Sequence, residues 1–295
     1  MSSFREIVSK TIHEQRHKLS TSSLKTYVST LVNLHKKLAN SDENIDWFKT
    51  NAKEILEHLH DTPPKQRKSI LAALYVLTNE SNFRTQMILD CKTVNDDYKN
   101  QRMTPSEKTN WVSTADIHII YNELKSKVDA MFSHKAIPNI QTIVEYFLLA
   151  FLGGIEMPPR RSLDYSLLKI RNFNPKEDNY YRSGKLVFNK YKTSGTYGKQ
   201  VLEVPSDLNK MIKRWIKLNK EDYMLVSSNS HQLSSPQINR LLNKIFGGKK
   251  VSTDLLRHIF LTQFYTNIPS FKDMDELAHN MGHSINQALL YIKRD

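Results

Sequence analysis

The 295-residue chain is 39% hydrophobic and 25% charged, the balance of an ordinary water-soluble globular protein, and is long enough for two domains or one large one. Its single cysteine, Cys91, excludes an internal disulfide framework and any cysteine-based zinc module. A net charge of +13 and a pI near 9.5 call for a polyanionic partner, nucleic acid first and an anionic membrane surface second. No membrane-spanning segment and no membrane partner are expected, because the longest apolar run, "YFLLAFLGGI" from Tyr146, fits a buried helix. The N-terminal stretch lacks the apolar centre of a signal peptide, so the protein reads as intracellular.

The first hundred residues read as helices. "SSLKTYVSTLVNLHKKL" sets Leu24, Tyr27, Val28, Leu31, Leu34 and Leu38 on one stripe, with Ser22 or Ser23 as N-cap. "NAKEILEHLHD" offers Ile55, Leu56 and Leu59. After Pro63-Pro64, Ile70, Leu71, Leu74 and Leu77 form another stripe. The first turn of that helix carries Lys65, Arg67 and Lys68. Cations there oppose the helix dipole, and a phosphate would relieve the conflict, so these three are candidate DNA-binding residues. A solvated basic turn is the plain alternative.

Between Thr93 and Asn110 the chain is polar, nearly free of aliphatic residues, and contains Pro105. The domain boundary is placed there, giving residues 1–102 and 103–295. "WVSTADIHIIYNELKSKVDAMF" follows as a helix capped by Ser113 or Thr114, with Ile117, Ile120, Tyr121 and Leu124 inward. A strongly apolar helix from about Ile140 to Leu152 ends at Gly153-Gly154. Two short strands are then predicted, Leu186-Val187-Phe188 and Val201-Leu202-Val204, with Thr193, Ser194, Gly195 and Gly198 supplying the reversal. Helices resume at "DLNKMIKRWIKL", "SPQINRLLNKIF" and "TDLLRHIFLTQFY". The fold class is therefore mainly α with a small β-hairpin or sheet.

Four stretches place polar groups in otherwise packed contexts. "MPPRRSLDYSLL" has Arg160-Arg161 at the start of a helix bearing Leu163, Leu167 and Leu168. Lys192 sits at the shoulder of the hairpin turn, and Arg257 and His258 lie in an apolar helix. The fourth, "MGHSINQALLY", ends in Tyr291. On periodicity alone Tyr291 reads as a packing residue of an amphipathic last helix with Ala288 and Leu289. Taken together, two arginines, a lysine, a histidine and a tyrosine are a phosphate-handling set. Guanidinium forks clamp oxygens, a lysine can protonate a leaving oxygen, and a tyrosyl oxygen can attack phosphorus. His279 and His283 have spacing suited to a metal but no acidic third ligand nearby, and no Gly-rich nucleotide loop occurs. No metal or nucleotide cofactor is implied.

In order and context these motifs resemble the tyrosine recombinase (integrase) family of DNA breaking-and-joining enzymes. The residues that carry the likeness are Arg161 with Asp164 three positions on, Lys192 in "YKTSG", Arg257 in "DLLRH", Gly282-His283, and Tyr291. The matches run from about Trp111 to the end, and the N-terminal region resembles the family's helical core-binding domain more loosely. The resemblance implies a core-binding DNA-binding domain followed by a catalytic domain, acting on double-stranded DNA as a homo-oligomer, a tetramer. Tyr291 would be the nucleophile, forming a 3′-phosphotyrosine. Arg161 and Arg257 would stabilise the pentacoordinate phosphate, His283 would hydrogen-bond it, and Lys192 would protonate the leaving oxygen, with neither ATP nor metal. Arg160 remains an alternative to Arg161 and a candidate DNA-binding residue.

Three features depart from the family pattern. The position usually held by histidine or lysine in the Arg257 box is Asp254, with His258 a candidate for the missing function. The interval from His283 to Tyr291 is one residue short of the commonest, and "IKRD" alone follows Tyr291. A type IB topoisomerase, which shares the catalytic set, and a catalytically silent DNA-binding protein of the same fold are the alternatives.

Overall fold

The computed structural model describes residues 3–39, 44–266 and 269–293; Arg294 and Asp295 of the "IKRD" tail lie outside them. Packing divides the chain into two compact units, Met1–Asn100 and Gln101–Asp295. The first is helical: α1 (Phe4–Gln15), α2 (Thr21–Leu38), α3 (Trp47–Thr50), α4 (Ala52–His58), α5 (Pro64–Thr78) and α6 (Ser81–Lys99). The cap of α2 is Ser20, whose hydroxyl accepts from the Ser23 amide, so the predicted caps Ser22 and Ser23 fall inside the first turn. Val8, Ile12, Leu31, Phe48, Ile55, Leu71, Leu74 and Phe83 close the core. Asn79 takes a left-handed conformation (φ 56°) to end α5 and start the turn into α6.

The polar stretch from Thr93, read only as the place of the domain boundary, begins as helix, because α6 runs through it to Lys99. That segment buries little beyond Val94 and so carries no apolar stripe to read. Arg67, expected at a phosphate, is spent inside the unit. Its Nε and Nη2 donate to the two oxygens of Asp90 at 2.9 and 2.8 Å, and its Nη1 donates to the carbonyls of Leu59 and His60. The helix dipole argument missed this because the partner lies 23 residues away on α6. Lys65 is exposed, its ammonium 5.7 Å from the Tyr98 ring. Lys68 borders a groove of about 390 Å³ lined by Ser22, Ser23, Thr26, Thr30 and Ser69.

The second unit is built around one buried helix. It comprises α7 (Pro105–Asn110), α8 (Thr114–Phe132), α9 (Ile140–Leu152) and α10 (Ser162–Ser166), then β1 (Leu168–Lys169), β2 (Asn179–Arg182) and β3 (Lys185–Phe188). After α11 (Ser194–Tyr197) and β4 (Gln200–Glu203) come α12 (Ser206–Leu218), α13 (Ser235–Ile245), α14 (Thr253–Phe264), α15 (Phe271–Asn280) and α16 (Ile285–Leu289). From Ile143 to Leu152, α9 is buried except at Glu145, as its all-round apolar sequence requires. The sheet has order β1-β2-β3-β4, with β1 parallel to β2 and the rest antiparallel. The predicted hairpin is β3–β4, in register Leu186 with Leu202 and Val187 with Val201. The segments β1 and β2 were not foreseen, and Leu168 lies in β1 rather than on a helix with Leu163. At two and four residues, these strands are too short for alternation to show.

Gly154 (φ 72°) follows α9 where a Cβ would meet the Phe260 ring at 2.3 Å, so this glycine lets α14 lie close against the end of α9. A separate apolar cluster, Leu261, Leu277, Ala278, Met281, Ala288 and Ile292, seats α15, α16 and the chain beyond them on α14.

Burial works against the charge of Asp90, but the hydrogen bonds from Arg67 and Gln86 and the Arg67 charge outweigh it and hold the carboxyl below the usual range. Its contribution is therefore complete above the unfolded carboxylate pKa and is lost as pH falls through the lower folded value. Arg67→Ala should lower the opening free energy of the α5 and α6 amides, read by hydrogen exchange at neutral pH, by about 3 kcal/mol. Unchanged exchange would mean that the pair does not brace these helices.

Candidate active site

Helix α14 carries Arg257 into the interior, where the residue is 1% exposed. The apolar neighbours Leu255, Leu256, Ile259 and Leu261 fix the helix and oblige the arginine to follow. Arg257 Nη1 donates to Tyr291 Oη at 3.2 Å, and the guanidinium lies over the Tyr291 ring at 4.7 Å. Its Nη2 meets His283 Nε2, while its Nε has no hydrogen-bond partner. Among the described residues no carboxylate comes within ion-pair distance of it. Burial, and the charge of Arg161 nearby, push the Arg257 pKa down. A guanidinium buried without a counter-anion is costly, and an anion that enters would remove the cost.

His283 is reached through a tight turn. Gly282 adopts φ 71°, and a Cβ on it would come within 3.4 Å of Thr193 Oγ1 and 3.5 Å of Tyr191. Burial, then the charges of Arg257, Arg161 and Arg160, push the imidazole pKa down to about 3. The ring is therefore neutral near pH 7, as accepting a hydrogen bond from Arg257 requires. Tyr291 lies just beyond α16 rather than on it, its amide donating to the Ala288 carbonyl at 3.1 Å. Its ring centroid stands 5.0 Å from that of His258 and 5.2 Å from that of His283.

Arg161 caps α10 in extended backbone (φ −73°, ψ 149°). It is half-buried, its Nη1 has no partner, and its charge acts on Arg257, His283 and Asp164. Lys192 is exposed in the β3–β4 connection. The adjacent Thr193 hydroxyl donates to the Gly282 carbonyl at 3.0 Å, which ties the lysine loop to the turn that carries His283. Asp254 stands in the first turn of α14 with a side chain 67% exposed, 3.6 Å from His258 Nε2. His258 is buried, and its Nδ1 lies 2.6 Å from the Tyr291 carbonyl. It thus holds the backbone of Tyr291.

Arg160 requires a correction. It is fully buried and is not available to a DNA surface. Its Nε donates to Asp164 at 3.0 Å, and its Nη1 donates to Gln200 Oε1 and to the Asn280 carbonyl, both at 2.6 Å. Phe188 and Tyr191 lie 4.3 and 4.9 Å from the guanidinium. Gln200 Nε2 donates in turn to the His279 carbonyl at 2.6 Å. Arg160 and Gln200 therefore grip the two carbonyls just ahead of the Gly282-His283 turn. Gln200 escaped the sequence reading, and its signal was a polar residue at the first position of a short strand. Asp164, expected beside Arg161, is the ion partner of Arg160. Among the described residues no group of three or more His, Cys, Asp or Glu side chains could hold a metal ion. No described helix is long and apolar enough to cross a membrane.

No protein-family model matches the chain, and no curated protein matches its sequence. Solved structures do. A lambda integrase dimer bound to a COC′ core site superposes with a TM-score of 0.53 at 14% identity, covering 98% of this chain and 75% of that one. The lambda integrase fragment 75–356, also a dimer on a COC′ core site, gives 0.51 at 14% identity, covering 96% and 95%. XerA recombinase gives 0.42 at 14% identity, covering 99% and 94%. The chain has the fold of the tyrosine recombinases.

Proposed function

We propose that this chain is a site-specific DNA recombinase or integrase that cuts and rejoins duplex DNA through a 3′-phosphotyrosine at Tyr291. The observation that carries the reading is the Arg257 guanidinium, buried with no described carboxylate in ion-pair range and already bonded to the Tyr291 hydroxyl. Arg160 Nη2, near Gly282, is buried without a hydrogen-bond partner, and so, among the described residues, are Nε of Arg257 and Nη1 of Arg161, the two arginines proposed to hold the phosphate. A phosphodiester supplies what they lack: two non-bridging oxygens on one phosphorus.

In this mechanism Tyr291 Oη releases its proton to water as it attacks phosphorus, and the bond from phosphorus to the 5′ oxygen breaks. Arg161 and Arg257 hold the non-bridging oxygens as negative charge develops on them. Lys192 gives the leaving 5′ oxygen its proton. Rejoining runs the same path backwards, with a 5′-hydroxyl of another strand as attacker and Tyr291 as leaving group. The phosphotyrosine conserves the bond energy of the strand, so the cycle calls on neither ATP nor a metal ion. A basic chain of this fold, whose solved likeness is a dimer on its core site, would work as an oligomer on duplex DNA. The Asp254 side chain is 67% exposed and its charge acts on Arg257 from beyond ion-pair distance, so it does not take the place of a phosphate held on that guanidinium.

Tyr291→Phe should bind DNA as the wild type does and form no covalent complex with nicked suicide duplexes, since the ring stays and the attacking oxygen is lost. A surviving adduct would move the nucleophile elsewhere. Tyr265 is a poor substitute, because its hydroxyl is buried with no hydrogen-bond partner and burial raises its pKa.

Asp254→Asn should leave the single-turnover cleavage rate unchanged or raise it, because one anion near the phosphate disappears. A loss of roughly 10²- to 10⁴-fold would instead identify Asp254 as the proton acceptor for Tyr291.

A further inference from the structure

The segment that carries Tyr291 is held from an unexpected side. Residues 101–107, where the chain enters the second unit, touch the segment that carries Tyr291 at two places and reach it a third time through His258. Gln101 Nε2 donates to the Leu289 carbonyl at 2.6 Å. Glu107 Oε1 lies 3.5 Å from Lys293 Nζ and 3.7 Å from His258 Nε2. His258, through its other nitrogen, holds the Tyr291 carbonyl. The Lys293 amide is further tied to Thr262 Oγ1 at 2.9 Å, so Tyr291 stands between two fixed points.

Glu107 divides its two oxygens between separate tasks. Oε2 accepts from the amide and the hydroxyl of Thr104, both at 2.8 Å, which completes the capping box of α7. Oε1 is turned the other way, into the group of His258 and Lys293, and Asp254 faces His258 there as a second carboxylate. The Lys293 side chain is 5% exposed and that of Glu107 is 18%, so this charge pair is shielded far more than a surface bridge. Capping alone would not bring the second oxygen to a buried lysine and to the histidine that grips the tyrosine.

We propose that Glu107 is a positioning residue for Tyr291, and that residues 101–107 form a latch locking the segment that carries the nucleophile to its own catalytic unit through His258 and Lys293. The inference rests on the reading of Tyr291 as nucleophile. It assigns Glu107 no contact with the reacting atoms. Its role is to keep Tyr291 Oη at the Arg257 guanidinium before DNA arrives, so that the entering phosphate meets an ordered attacker.

Glu107→Gln separates the two tasks, because a glutamine amide preserves the capping box and removes the charge aimed at Lys293 and His258. The full chain would be compared with this variant on the best-cleaved member of a randomised pool of nicked duplexes, with DNA affinity measured alongside. Hydrogen exchange of residues 285–293 would be followed without DNA. The latch predicts that single-turnover adduct formation slows about tenfold to hundredfold with DNA affinity unchanged. It also predicts faster exchange at 285–293, with α7 exchanging as before. Lys293→Met should reproduce the defect, and the double variant should be little worse than either single one. Wild-type exchange and wild-type cleavage in Glu107→Gln would overturn the latch and leave Glu107 a helix cap. A fall in DNA affinity that matches the loss of rate would overturn it as well. Should the wild type form no adduct with any duplex, the recombinase reading fails, while the exchange result still decides the latch.

Discussion

The second unit is organised around a buried cation that no described carboxylate pairs with. Placing the Arg257 guanidinium at 1% exposure costs several kcal/mol unless its charge is met, and no described carboxylate meets it. Apolar contacts of α14 offset that cost, with Leu255, Leu256, Ile259 and Leu261 all buried around it. Partial acceptors help: the Tyr291 oxygen, the face of its ring, and the neutral His283 nitrogen. The same burial that strains Arg257 keeps His283 deprotonated, so the two groups share a proton donor instead of repelling each other. An arrangement that merely stabilised the fold would place an aspartate at this point. The opposite solution is seen one layer below, where Arg160 is buried with Asp164 as its counter-ion.

The pair Arg160-Arg161 shows how a single step of extended chain separates two identical side chains. Successive residues of an extended segment point to opposite sides. Arg160 turns inward to Asp164, Gln200 and the Asn280 carbonyl, and Arg161 remains half-buried with an unpartnered nitrogen. The inward arginine fixes the carbonyls ahead of Gly282-His283, and Thr193 fixes that of Gly282 from the lysine loop. The histidine turn, the first arginine and the hairpin are thereby set in register by bonds made below the site. Precision of this kind is what an enzyme needs if it is to gain from prepaid orientation.

Helix periodicity, the hairpin and the order of the motifs were legible in the sequence because each depends on neighbours within a few positions. The apolar helix appears over Ile140–Leu152, the bounds that its pattern and the two glycines foretold. Pairings over long separations were not legible. Arg67 looked like a phosphate ligand until Asp90 on α6 claimed it, and Arg160 looked exposed until Gln200 and Asn280 enclosed it. Periodicity also put Tyr291 on the last helix, whereas α16 stops at Leu289 and the tyrosine occupies the turn beyond. That displacement lets its hydroxyl reach Arg257 while its carbonyl stays with His258. Glu107 lay unnoticed in a polar stretch, since nothing local marks a carboxylate that serves residues about 150 and 190 positions away.

A site built around Arg257 and Tyr291 would join the protein to DNA through one atom, Tyr291 Oη. Covalent complexes trapped on nicked duplexes can be digested with trypsin and the nucleotide-bearing peptide sequenced by mass spectrometry. The modified peptide should be the one running from Asp273 to Lys293, with the 3′-phosphate of the cut strand on Tyr291 and a free 5′-hydroxyl left on the other fragment. A linkage through any other residue, or a 5′-phosphate joined to the protein, would contradict a site built around Arg257 and Tyr291.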